Sequence, residues 1–335
     1  MSVGLIIALL AAFAFAFTNG FHDASNAIAT LVATRGARPG QAIVLAAVFN
    51  MLGPLLLGTA VADTVGGIVA IGQDAAIEVI GAGLLAAVSW NVLTWWRGIP
   101  SSSGHALVGG LIGAGLVVGG SDAINWGGMN GIKPVGVIGT LVALAVSPVL
   151  GGLAGAFNVR ALRRATARAT RRWDGVVRGG QWTMSGALSF SHGANDAQKS
   201  VGMVTALLVA GGQLGHFVPP LWSELACAAA LTLGTALGGW RIVKTVGRDI
   251  YRIHPLEGLG SQTASAAVIF GASVIGGPVS TTQVVASSVV GIGAGRKRWQ
   301  HIHWAVVQAI GVAWVMTIPA CATIAAVLVT VWRGV

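Results

Sequence analysis

The chain has 335 residues, of which 54% are hydrophobic and only 9% are charged, whereas soluble domains are about 25% charged. A formal net charge of +10 would suggest a nucleic-acid partner in a soluble protein, but in so apolar a chain it indicates basic loops beside a membrane. Composition therefore excludes an ordinary soluble domain, argues against nucleic acid as a partner, and predicts an all-α integral membrane protein.

Ten apolar segments follow one another along the chain, each long enough to cross or enter a bilayer at about 20 residues per crossing. They cover residues 3–34, 41–61, 79–96, 101–118, 135–157, 182–211, 220–240, 259–276, 279–294 and 303–331. The segments at 101–118 and 279–294 are short, so we expect broken helices or re-entrant hairpins there. Because the chain contains no Walker, G-x-S-x-G or H-E-x-x-H pattern, we predict a transporter without a bound cofactor rather than an enzyme.

The basic residues are distributed unevenly between the loops. If the N-terminus lies outside, most of the 20 Lys and Arg residues fall in loops on one side of ten crossings. The positive-inside rule then places these loops in the cytoplasm. We predict a multi-pass protein of the inner (plasma) membrane, in contact with lipid, whose central basic linker at residues 158–181 is cytoplasmic and whose termini both face outward.

Two sequence motifs occur once on each side of this linker, in the same order. NGFHDASNA at residues 19–27 resembles HGANDAQKS at 192–200, and PSSSGHALVGG at 100–110 resembles PVSTTQVVASS at 278–288. Each half holds five segments, an odd number, so the two copies should run in opposite directions through the membrane. The sequence therefore predicts two inverted-topology repeats, residues 1–157 and 182–335, an architecture common in secondary transporters.

The first motif places one acidic residue inside an apolar segment of each half. A carboxylate at membrane depth costs about 2.5–3.5 kcal/mol, so Asp23 and Asp196 must pair, cap a helix, bind a cation or face a polar cavity. Oxygen-rich surroundings suit a hard cation. The amide side chains beside the two acids are Asn19, Asn26 and Asn195. We interpret the acids as cation-coupling residues; pairing with a neighbour is the alternative.

Other residues of the same motif could assist the acids. Gly20 and Gly193 would allow each helix to break and expose backbone carbonyls to an ion. His22 and His192 flank the acids and are candidate proton partners, although a hydrogen-bonded core histidine is the simpler reading of each. Lys199, the basic residue that lies within a segment, is a candidate charge partner for an acid.

The second motif consists of three hydroxyl-bearing residues that follow a proline in each half. Proline favours a helix start and Ser or Thr favours its cap, and a helix N-terminus attracts anions. Two such starts facing each other would form an anion site without arginine, whereas simple N-capping is the alternative. The residues concerned are Ser101, Ser102 and Ser103 after Pro100, and Ser280, Thr281 and Thr282 after Pro278.

Together these motifs resemble the paired signature of the PiT family of inorganic phosphate transporters, whose ideal core is G-A-N-D-[VA]-A-N-A. The resemblance covers essentially the whole chain. The first copy reads GFHDASNA, with His22 where Asn is usual, and the second reads GANDAQKS, with Lys199 where Asn is usual. The serine and threonine runs also match those of the family.

The resemblance implies uptake of inorganic phosphate by cation symport, alternating access about a midplane site, and a homodimer. The co-transported cation would be Na⁺ or H⁺, or the substrate a divalent metal–phosphate complex. Asp23, Asn26, Asn195 and Asp196 would serve the cation and substrate site, with the two acids as metal ligands if the cation is Na⁺. Ser101, Ser102, Ser280 and Thr281 would lie nearest the phosphate, with Ser103 and Thr282 close by.

Three other functions are compatible with the same residues. Sulfate matches phosphate in size and shape, so a sulfate permease on this scaffold is one alternative. A membrane protein that binds the anion without transporting it is a second. A channel is a third, which the duplicated anion caps beside buried acids disfavour because they predict an occluding site.

Overall fold

The computed structural model describes residues 1–168, 170 and 173–334, apart from the side chains of residues 24 and 25. Helices make up nearly all of it, so the predicted all-α fold is confirmed. Each of the ten apolar segments overlaps a helix of at least 15 residues. In chain order the helices are Val3–Ala33 (α1), Pro39–Leu57 (α2), Ala60–Gly66 (α3), Gln73–Arg97 (α4), Ser103–Gly119 (α5), Gly136–Ala165 (α6), Asp174–Ala210 (α7), Leu221–Leu237 (α8), Trp240–Lys244 (α9), Pro255–Val274 (α10), Thr281–Gly295 (α11) and Trp304–Arg333 (α12).

Among the described residues, six helices are long and apolar enough to cross a membrane, and the bent pair formed by α8 and the segment after it would be a seventh. The six are α1, α2, α4, α5 with the 3₁₀ turn that follows it, α6 and α12. The bend of 66° after α8 leads into α9 and then into a π-helical turn at Thr245–Asp249. Helix α11 has only 15 residues, as expected for the short segment at 279–294. The chain is thus a multi-pass membrane protein.

A small β-hairpin interrupts the helical fold and was not foreseen from the sequence. Strand β1 (Gly128–Asn130) pairs antiparallel with β2 (Lys133–Val135), with Met129 opposite Pro134. Gly131 closes the turn at a φ of 62°, in the left-handed region that glycine adopts at little cost. The hairpin joins α5 to α6, and its three-residue strands are too short to give a clear alternating pattern.

Helices from the two halves of the sequence pack closely against each other, α1 against α8 and α2 against α7. The prediction that the chain breaks at Gly20 and Gly193 is wrong, because α1 and α7 run through both positions as continuous helices. A Cβ atom on Gly20 would lie 2.1 Å from the carbonyl oxygen of Leu231, and one on Gly193 would lie 2.3 Å from that of Asn50. These glycines therefore serve close helix contact rather than helix breakage.

Gly193→Ala should destabilise the protein by about 1–3 kcal/mol, the usual cost of overpacking, because the added methyl group meets the backbone of α2. Gly179→Ala is the matched control on the same helix, since nothing lies within 4 Å of its added Cβ. That control should be neutral or stabilising by up to about 1 kcal/mol. Unfolding of the purified variants in detergent measures both effects, and equal stability of the two variants would contradict close packing at Gly193.

Candidate functional site

The acidic residues of the two motifs lie side by side in the folded protein. Asp23 is on α1 and Asp196 is on α7, and both side chains are buried. Ligating atoms of Asp23, His192 and Asp196 all lie within 4.8 Å of one another, a spacing that could hold a metal ion. The structure therefore brings together two carboxylates that are far apart in sequence.

Asp23 receives hydroxyl groups from the starts of two different helices. Its Oδ1 accepts a hydrogen bond of 2.6 Å from Thr282 Oγ1 on α11, and its Oδ2 accepts one of 2.7 Å from Ser103 Oγ on α5. His22 Nδ1 lies 2.8 Å from Oδ1, and Asn26 Nδ2 donates to the same oxygen at 3.3 Å. Side chains from both halves of the chain thus surround this carboxylate.

Asp196 has a comparable hydroxyl donor and, in addition, a cation. Thr281 Oγ1 donates to Asp196 Oδ2 at 2.9 Å, and His192 Nε2 lies 2.9 Å from the same oxygen. The ammonium of Lys199 donates to Asp196 Oδ1 and, at 2.8 Å, to the carbonyl oxygen of Val279. Lys199 is only 2% exposed, so this is a buried ion pair.

Helices α5 and α11 both begin at the two acids. Ser102 and Ser280 are their N-cap residues, and the side-chain oxygens accept from the backbone N–H groups of His105 at 3.2 Å and Gln283 at 3.3 Å. The proline and hydroxyl pattern thus marked the true helix starts. In each run the cap residue serves its own helix, while the residue after the cap donates to a carboxylate.

The remaining predicted hydroxyl lies slightly apart from the acids. Ser101 Oγ lies 2.9 Å from Thr94 Oγ1 and 3.2 Å from His22 Nε2. Ser101 is fully buried, and its contact with the imidazole connects it to Asp23 indirectly. Of the six predicted hydroxyls, those of Ser103, Thr281 and Thr282 touch the carboxylates.

The two copies of the motif differ most at one position. Asn26 and Lys199 occupy the same place in the aligned motifs, and Asn26 Nδ2 donates to Thr282 Oγ1 at 2.9 Å. In the aligned runs at 100–110 and 278–288, Gly104 takes the place of Thr282. A Cβ atom on Gly104 would be 3.6 Å from Lys199 Nζ. An amide paired with a hydroxyl on one side is therefore replaced by an ammonium beside a glycine on the other.

Several buried amide atoms around the acids have no hydrogen-bond partner within the described residues. They are Asn19 Nδ2, Asn26 Oδ1 and Asn195 Oδ1. Asn195 directs its Nδ2 away from Asp196, donating to Ser273 Oγ at 2.9 Å and to the carbonyl of Gly277 at 3.0 Å. A buried polar atom without a partner costs about 1–3 kcal/mol, so three such atoms beside two acids indicate a place for a polar ligand.

Sequence reasoning missed two residues that position the histidines. Thr94 Oγ1 lies 3.1 Å from His22 Nε2, and Asn50 Oδ1 lies 3.0 Å from His192 Nδ1. Both residues are buried and belong to apolar helices outside the motifs, Asn50 to α2 and Thr94 to α4. A single amide in an otherwise apolar segment was the available signal for Asn50, because a buried amide needs a specific partner.

The arrangement of the two acids and the hydroxyls around them indicates a class of protein. A helical membrane protein with a buried site of carboxylates, hydroxyls and helix N-termini can hold a cation and an anion together, which is typical of secondary transporters. Known proteins agree with this class. Residues 19–325 match the phosphate transporter family, and the chain belongs to that family.

Relatives cover nearly the whole chain. A probable low-affinity inorganic phosphate transporter of Rhizobium meliloti is 42% identical over 96% of this chain and 95% of its own length. One of the same description from Bacillus subtilis is 39% identical over the same shares. The solved structure described as the sodium-dependent phosphate transporter is 24% identical, with a TM-score of 0.85 over 100% of both chains. The predicted family is confirmed, and the protein is a phosphate transporter rather than an enzyme.

Proposed function

We propose that the protein imports inorganic phosphate by cation symport, with alternating access about the buried site of Asp23 and Asp196. The observation that carries this proposal is the meeting of one carboxylate from each half with hydroxyls from two helix starts. Charge balance supports it. Lys199 supplies one positive charge for two buried carboxylates, so an added phosphate anion would be strongly disfavoured in a low-dielectric site without further cations.

The membrane potential adds a second reason for coupling. Moving an anion into an inside-negative compartment costs about 2.3 kcal/mol per elementary charge at 100 mV. Cations that bind with phosphate and cross with it would offset this cost. Asp23 and Asp196 would act as their ligands, with Asn19, Asn26 and Asn195 nearby.

Two cations have support from separate observations. Carboxylate, hydroxyl and amide oxygens are the ligands that a hard cation such as Na⁺ prefers, and the solved structure of similar fold is described as sodium-dependent. The hydrogen bond between His22 and Asp23, at 2.8 Å, instead favours H⁺, because imidazole and carboxylate can share a proton. His192 Nε2 lies 2.9 Å from Asp196 without the geometry of a hydrogen bond. A divalent metal–phosphate complex is the third candidate, because carboxylate oxygens also ligate divalent cations.

Phosphate would bind where α5 and α11 begin, with their backbone N–H groups and neighbouring hydroxyls as donors. The predicted hydroxyl ligands are Ser101, Ser102, Ser103, Ser280, Thr281 and Thr282. The unpartnered Oδ1 atoms of Asn26 and Asn195 are acceptors. They would accept from the O–H of hydrogen phosphate, a donor that sulfate lacks at neutral pH, and this difference favours a phosphate transporter over a sulfate permease.

The proposed architecture is a pair of inverted repeats at residues 1–157 and 182–335, joined by the basic linker at 158–181. The contact of Ser103 with Asp23 and that of Thr281 with Asp196 support it, because equivalent residues make equivalent contacts. The positive-inside rule places the linker in the cytoplasm and both termini outside. We further propose a homodimer in the inner membrane, surrounded by lipid.

Radiolabelled phosphate uptake into proteoliposomes tests the proposal, with Na⁺ and H⁺ gradients imposed separately. We expect one of the two gradients to drive phosphate above its equilibrium level, and an excess of sulfate to leave uptake unchanged. Phosphate flux that does not depend on either cation gradient would indicate a channel. The absence of any flux from correctly inserted protein would indicate a binding protein, and competition by sulfate would favour the sulfate permease.

Thr281→Val should weaken phosphate binding, since it keeps the branched shape but removes a proposed phosphate ligand, a hydroxyl that donates to Asp196 when no phosphate is bound. The loss should be about 1.5–3 kcal/mol for a charge-assisted hydrogen bond, or about 10- to 150-fold in affinity. Thr263→Val is the matched control, because its hydroxyl donates only to the carbonyl of Leu259 on its own helix. The apparent KM for phosphate in proteoliposomes measures the effect, and an equal KM in both variants would place phosphate elsewhere.

A further inference from the structure

A polar cavity shares no residue with the site of the two acids. It has a volume of about 940 Å³ and lies between the end of α1, the π-helical turn after α9 and the loop before α12. We call it the basic cavity. Its lining includes Arg35, Arg248, Arg252, Arg298, Tyr251 and His301. Among the described residues no Asp or Glu lines it.

No described carboxylate neutralises the four guanidinium groups of the basic cavity. Within the described part of the chain none of them makes an ion pair or a side-chain hydrogen bond. Among the described arginines only Arg296, which pairs with Glu257, and Arg333, which pairs with Glu78, have a carboxylate partner. Four arginines facing one cavity without a carboxylate create a strongly positive potential.

The neighbouring histidine responds to this potential. Partial burial, and then the charges of Arg296, Arg298 and Arg252, lower the pKa of His254 below its usual range. His254 lines the basic cavity just before α10. Of the charges that lower this pKa, those of Arg298 and Arg252 belong to the basic cavity, so part of the shift reflects the positive charge gathered there.

A tyrosine provides an independent indication of a ligand. Tyr251 is only 2% exposed, lines the basic cavity, and its hydroxyl has no hydrogen-bond partner within the described residues. A buried tyrosine hydroxyl usually has a partner. An acceptor bound in the cavity would provide one, and an anion that also binds arginine is the acceptor that the charges select.

We propose that the basic cavity binds a phosphoryl-type anion, with guanidinium groups of Arg252 and Arg298 and the hydroxyl of Tyr251 as donors. Planar guanidinium groups recognise tetrahedral phosphate oxygens through paired hydrogen bonds. Free inorganic phosphate and the phosphate of an anionic lipid headgroup share this chemistry. The site is distinct from the transport site, so its occupation does not depend on the proposed symport.

The positive-inside rule predicts on which side of the membrane the basic cavity lies. The same arginines belong to loops that we place in the cytoplasm. Phosphate bound there would be phosphate that has already been imported, and occupancy of the basic cavity would follow its concentration. The binding test below requires no transport, and therefore a failure of the symport proposal leaves it intact.

Arginine modification by phenylglyoxal, followed by peptide mass spectrometry, tests the proposal on the purified full-length protein in nanodiscs of zwitterionic lipid. We expect inorganic phosphate to slow the modification of Arg252 and Arg298 about tenfold at saturation relative to chloride of equal ionic strength. Arg97 is the control, because it is exposed and does not line the basic cavity. Its modification rate should be the same with and without phosphate.

Nanodiscs that contain phosphatidylglycerol distinguish the two sources of the anion. Protection in these discs without added phosphate, and no further protection when phosphate is added, would assign the site to a lipid headgroup. Protection that requires added phosphate in both kinds of disc would assign it to the free anion. If neither lipid nor phosphate slows modification of Arg252 and Arg298 relative to Arg97, the proposal is overturned.

Tyr251→Phe tests the hydroxyl separately from the charges. Phenylalanine keeps the buried ring and removes only the unpartnered oxygen, so the protein should fold normally. A charge-assisted hydrogen bond to phosphate would be lost. The phosphate concentration that gives half of the maximal protection of Arg252 should therefore rise at least about 10-fold. An unchanged phosphate requirement would show that the hydroxyl does not contact the anion and would contradict the proposed donor set.

Discussion

Asp23→Asn should abolish cation-driven phosphate uptake while the protein still folds and inserts. The carboxylate accepts hydroxyl hydrogen bonds from Ser103 and Thr282, so it is the point at which both helix starts meet a negative charge. Asparagine keeps the size of the side chain but offers a cation no charge. We expect the rate at limiting cation concentration to fall at least about 100-fold, equivalent to about 2.8 kcal/mol at 1.4 kcal/mol per tenfold.

The matched control for this change is Asp63→Asn. Asp63 lies on α3, is exposed, and has no part in the site, so removal of its charge should leave uptake within about twofold of the unmodified protein. Proteoliposome uptake with an imposed cation gradient measures both variants after their insertion has been verified. Normal gradient-driven uptake by Asp23→Asn would remove this carboxylate from the coupling site.

Lys199→Met should destabilise the protein by about 3–5 kcal/mol, because it leaves the buried carboxylate of Asp196 without its ammonium partner. Replacement of both charges, in Asp196→Asn with Lys199→Met, should recover most of this loss because no uncompensated charge then remains. A double-mutant cycle on unfolding in detergent isolates the pair energy. Additive single effects would mean that the two groups do not form an ion pair in the folded protein.

The same lysine has a consequence for coupling. Lys199 stands where the other copy of the motif has Asn26, and its ammonium already neutralises one of the two acids. Lys199→Asn removes the same ammonium as Lys199→Met, so a mobile ion must replace the tethered charge beside Asp196, and uptake by the folded fraction should depend more steeply on the coupling cation. The Hill slope of uptake against cation concentration is the measurement, and an unchanged slope would contradict this role for the lysine.

Matched residues in two distant motifs were informative because a polar group in a membrane segment has few explanations. A carboxylate at membrane depth is costly wherever it lies, so the duplicated Asp23 and Asp196 could be selected without any knowledge of contacts. Capping follows local rules as well, and the hydroxyl-bearing runs that follow Pro100 and Pro278 placed the starts of α5 and α11 where the structure has them.

Glycine was harder to interpret from sequence alone. A glycine in an apolar segment is compatible with a helix break and with close helix packing, because each of these needs a residue without a side chain. Gly20 and Gly193 therefore did not distinguish the two from sequence. The choice depends on a neighbouring backbone, the carbonyl of Leu231 in one case and of Asn50 in the other. Those atoms belong to α8 and α2, and no local pattern indicates which helices will be neighbours.

The sequence by itself determined the all-α membrane fold, the ten apolar segments, the two helix starts and the pair of buried acids, because each follows from local composition, spacing or repetition. Only the tertiary structure decided which hydroxyl reaches which carboxylate: Thr282 of the second half contacts Asp23 of the first, whereas Thr281 contacts Asp196. It also decided that Thr94 and Asn50 hold the histidines. Such contacts depend on the rotation and separation of packed helices, which long-range packing sets.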